Sequence, residues 1–139
     1  VKTAFSANQF TPTQWDTAED KAKFANHFLN FVESGFAESK FPKWFYKRLS
    51  MTFGHIAHFD QSGFFAEFFT TTRGRVDFIR QTLQYPGYGD PGYTYCDVEK
   101  VLQVALLEMN VLEKVRRDHE QAVETSERGE LSRLKAKYQ

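Results

Sequence analysis

Apolar residues recur along this chain with the period of an α-helix. Phe24, Phe28, Phe31 and Val32 sit at i, i+4, i+7 and i+8, one face of a helix. Two capping patterns precede them, Thr11-Pro12-Thr13-Gln14 and Asp16-Thr17-Ala18-Glu19, and Ser34-Gly35 follows as a stop. The pattern predicts a helix over about 14–34. Pro42 suits the first turn of a second helix, whose stripe is Phe45, Leu49, Thr52, Phe53 and Ile56, ending near His58.

Asp60-Gln61-Ser62-Gly63 reads as a turn. Phe64, Phe65, Phe68 and Phe69 then pair at i, i+4 and predict a short buried helix, with a strand as the alternative. Val76, Ile79 and Leu83 mark a further helix to about Gln84. Residues 85–95, with two Pro and three Gly, exclude regular structure and predict a Tyr/Gly/Pro-rich loop.

Val98, Leu102, Ala105, Met109 and Leu112, widened by Val101, Val104, Leu107, Val111 and Val115, predict one long helix over 97–128. Its last third is charged, and Gly129 is expected to weaken it before a short segment around Leu131 and Leu134. The expected architecture is all-α: a single-domain helical bundle of four to five helices with a long C-terminal helix. An irregular lead-in over 1–12 precedes a helical domain over 13–128 and a short charged segment over 129–139.

Length agrees with one core, since 139 residues leave too little for two. The chain has 18 Lys+Arg against 18 Asp+Glu, which argues against a generally basic coating protein. The balance is uneven along the chain: residues 40–80 hold seven bases and three acids, residues 81–110 one base and four acids. One Cys, Cys96, permits no internal disulfide, and no apolar run is long enough for a signal core or a membrane span. A cytoplasmic setting and no membrane contact are the resulting expectations.

Four clusters could carry chemistry. His55 and His58, i and i+3 on a helix, could converge on a metal with Asp60; the plainer reading makes them polar residues finishing a helix. Thr70 to Arg75 enters a helix, where free N–H groups, Thr72, Arg73, Gly74 and Arg75 could cradle a phosphate; alternatively Thr72 is only a cap. Lys40 to Arg48 interleaves four bases with Phe41, Trp44, Phe45 and Tyr46, a composition suited to single-stranded nucleic acid or to an ordinary amphipathic helix. Tyr85, Tyr88, Tyr93 and Tyr95, with Trp44, are candidates for partner binding, or the loop's own cover.

No nucleophile elbow or full metal motif is present, so no cofactor is expected. The expectation is a non-catalytic binding protein acting through a protein partner or a homodimer. A phosphate-bearing ligand or nucleic acid is the alternative, and a metal-dependent enzyme using His55 and His58 a third possibility.

Overall fold

The computed structural model describes residues 5–52, 60–84 and 89–138. Among them there are only helices. A 3₁₀ turn at Ala7–Gln9 leads to α1 (Ala18–Glu33), and a second at Glu38–Lys40 leads to α2 (Lys43–Thr52). Then come α3 (Gln61–Phe68), α4 (Thr72–Gln84), α5 (Cys96–Glu108) and α6 (Val111–Tyr138). The Phe64–Phe69 stretch is helical rather than a strand, because its paired rings face one core at i, i+4 spacing.

Local chemistry sets the starts. α1 begins at Ala18, not at 14, because Thr17 and Asp20 form a reciprocal cap: Thr17 Oγ1 accepts from the Asp20 N–H at 3.0 Å, and the Asp20 carboxylate from the Thr17 N–H at 3.0 Å. That backbone hydrogen bond holds the Asp20 carboxyl below its ordinary range. Asp60 caps α3 by accepting from the Gly63 N–H.

The core is a mesh of Phe rings. Phe24, Phe28 and Phe31 of α1 meet Phe45 of α2, while Phe69, after α3, packs edge-on to Phe31 and to Phe78 of α4, both at 4.9 Å. Phe41 stacks on Phe64 with planes 11° apart. Such pairs add about 0.5–1.5 kcal/mol each beyond area burial. α5 closes this core with Val98, Leu102 and Leu106, and α6 adds Val111 and Val115.

Two expectations about the C-terminal region are corrected. The predicted 97–128 helix is two helices, because Asn110 adopts a left-handed backbone, φ 57°, and ends α5. Asn is among the few non-Gly residues that tolerate this conformation. The apolar spacing runs on through the break because both helices bury a face on one core. Nor does Gly129 interrupt the last helix. α6 runs unbroken through Gly129, supported on both sides by Glu124–Arg128 and Glu130–Arg133 ion pairs. Among the described residues the bundle has six α-helices rather than four or five.

Candidate functional site

Among the described residues, two places on the surface offer chemistry that a ligand or partner could reach. The first lies where α1 ends, α4 begins and α5 turns into α6. Val32, Phe36, Met109, Val111 and Val115 line a cleft of about 320 Å³ together with Glu33, Arg75, Lys114 and Asp118. The chain leaves α1 through Gly35 and Phe36, both with positive φ (78° and 62°), and the Phe36 N–H bonds back to the Phe31 carbonyl at 3.0 Å. A Phe in the left-handed region is strained. Its ring is held by Phe31 and a stack on Phe69, and it forms one wall.

Arg75 sits over that ring, 5.5 Å from its centre, and its Nε donates to the Phe69 carbonyl at 3.0 Å. No carboxylate among the described residues pairs with its guanidinium, so the terminal nitrogens are available at the cleft. The other members of the expected phosphate cradle are dispersed. Thr71, not Thr72, caps α4, its Oγ1 accepting from the Gly74 N–H at 3.0 Å. Thr72 Oγ1 bonds His119 Nδ1 at 2.9 Å, joining α4 to α6. Gly74 is buried because a Cβ there would lie 2.5 Å from the Glu67 carbonyl oxygen, so it serves the close approach of α3 and α4. Arg73 is exposed.

The second place is α6 itself. Its first turns are packed against α4 and α5, but residues 120–138 are all exposed. They amount to about 28 Å of helix at 1.5 Å per residue. Helices in proteins draw most of their stability from packing an apolar face, which this stretch lacks. Val123, Leu131, Leu134 and Tyr138 lie open on this overhang.

The remaining candidates fall elsewhere. His55, His58, Tyr85 and Tyr88 lie outside the described residues. Asp60 is a helix cap, and no three His, Cys, Asp or Glu among the described residues are grouped to hold a metal ion. In the Lys40–Arg48 segment, Phe41 and Phe45 are in the core while Lys40, Lys43 and Lys47 face solvent. Trp44 is half-buried beside His27, with Lys23 Nζ 4.5 Å above its ring. Tyr93 is 69 % exposed, whereas Tyr95 is buried. Burial pushes the Tyr95 hydroxyl up to about 12, against the Arg48 guanidinium 3.3 Å away, and Arg48 also pairs with buried Asp16.

Three polar groups were not singled out from sequence. Lys21 is fully buried, its three N–H donors matched by the Pro91 and Thr94 carbonyls and Asp97 at 2.8, 3.0 and 3.0 Å. It locks the 91–95 loop and the start of α5 to α1. Its place one turn before Phe24, inside the apolar stripe, was the available signal. The Asp16–Arg48 pair had no signal in spacing. Glu99 is 8 % exposed, its carboxyl has no hydrogen-bond or ion partner among the described residues, and burial pushes that carboxyl up to about 7.

Among the described residues no helix is long and apolar enough to cross a membrane. No family model, curated protein or solved structure matches this chain.

Proposed function

We propose that this chain is a non-catalytic interaction protein that works through a protein partner or another copy of itself, with α6 beyond His119 as its docking element. One observation carries the reading: the helix continues for residues 120–138 with every residue exposed. A free helix of that length gains nothing from the core and needs a surface to lie on if it is to stay helical at full occupancy. Exposed Tyr93 and Trp15 offer further contact surface near the start of α1.

The test compares affinity capture from native lysate by the full chain and by a chain ending at His119, each with and without nuclease. The reading expects protein partners held by the full chain and lost on truncation, with nuclease indifferent. Equal capture by both chains overturns it.

A second reading is favoured by Arg75, whose terminal nitrogens pair with no carboxylate among the described residues and face a cleft of about 320 Å³. A small phosphate- or carboxylate-bearing ligand suits a guanidinium held at Nε with its other edge free. Inorganic phosphate at tens of millimolar should then raise the melting temperature of the wild type and not of Arg75→Gln. No phosphate-dependent difference between the two removes this reading.

A further inference from the structure

The α6 overhang carries its charges in two blocks. Residues 118–127 hold four acids, Asp118, Glu120, Glu124 and Glu127, and no Lys or Arg. Residues 128–137 hold four bases, Arg128, Arg133, Lys135 and Lys137, and one acid, Glu130. Within the helix, Glu124 pairs with Arg128 and Glu130 with Arg133. Glu120 and Glu127 in the first block, and Lys135 and Lys137 in the second, form no ion pair among the described residues. Opposite unpaired charges thus stand at opposite ends of one exposed rod.

We infer that the overhang pairs with the same segment of a second copy, antiparallel, about a two-fold axis crossing between Glu127 and Arg128. The inference rests on the reading of α6 as the docking element. Antiparallel pairing about that axis lays each acidic block along the other copy's basic block: Glu120 comes level with Lys135. Parallel pairing sets like charge against like, which is unfavourable. The opposed helix macrodipoles favour the same arrangement.

The apolar residues fit this register. Val123 and Leu134 are eleven residues apart, about 20° around the helix, so they share a face. Antiparallel pairing brings Val123 of one copy within two residues of Leu134 of the other.

Sedimentation velocity on the full chain at about 100 µM tests the pairing. A dimer in low salt that dissociates toward monomer at about 0.5 M salt is expected, because exposed charge pairs are screened there. The triple variants Glu120→Lys/Glu124→Lys/Glu127→Lys and Arg133→Glu/Lys135→Glu/Lys137→Glu should each be monomeric, with thermal melts matching wild type, and should form a heterodimer on mixing.

Val123→Cys and Leu134→Cys chains, oxidised together, should cross-link to each other while neither cross-links to itself. Self-cross-linking of each alone indicates parallel helices and overturns the register. A monomer in low salt overturns self-pairing, as does a dimer indifferent to the charge reversals. The docking role is scored separately, by whether the chain ending at His119 loses its captured partners.

Discussion

Glu99 ties one side chain to the stability of the whole fold. Its carboxyl has no partner among the described residues, and burial raises it from 4.5 to about 7. The native state therefore holds a proton through a window in which the unfolded chain has lost it. Stability from this site is highest below about pH 4.5, falls as pH rises, and reaches its full cost above about pH 7. Glu99→Gln should flatten that slope and stabilise the protein at pH 8 by about 2–3 kcal/mol, in urea melts from pH 5 to 8. Parallel pH profiles for variant and wild type would refute the assignment. Gly74 gives the opposite case, a residue whose missing side chain matters. Gly74→Ala forces a Cβ against two backbone carbonyls that cannot turn away, and should cost roughly 2–3 kcal/mol in the same melts, although Ala is the better helix former.

The α5–α6 break is a prediction at the scale of the element. Asn110 bears a left-handed backbone, so Asn110→Gly should be neutral or stabilising. Asn110→Val, β-branched, should lose more than 1 kcal/mol. Equal stability of the two would mean that the break is not held at this residue. Further along, Gly129 is the weak point of a helix that nothing covers. A Cβ there meets no neighbour, so Gly129→Ala should strengthen the overhang by about 1 kcal/mol. The gain should appear as about fivefold slower amide exchange over residues 120–138, with the global melting temperature unchanged. Helix existence was legible in the spacing of Phe24, Phe28 and Phe31, and of Val76, Ile79 and Leu83. Neither Asn110 nor the run through Gly129 was, because a periodic apolar pattern records which residues face a core and not where the backbone bends to keep them there.

For the molecule as a whole, the same burial pattern separates a stable body from an appendage. Removing residues 120–139 should shift the melting temperature by no more than about 2 °C, since residues 120–138 are exposed throughout. A large loss would show that the overhang folds back on the body. Lys21 sits at the other extreme: Lys21→Ala removes the cation beside Asp97, leaves two loop carbonyls without their donor and opens a cavity, and about 3–5 kcal/mol should be lost in urea melts. By itself the sequence determined the all-helical class, the Phe-rich core and the irregular stretch over 89–95 before α5. These follow from local spacing and backbone preference, which neighbouring residues settle among themselves. Only the tertiary structure decided that Lys21 would meet Asp97, that Arg75 would lie over Phe36 beside a cleft, and that α6 would outrun its own bundle. Each depends on which distant surfaces meet.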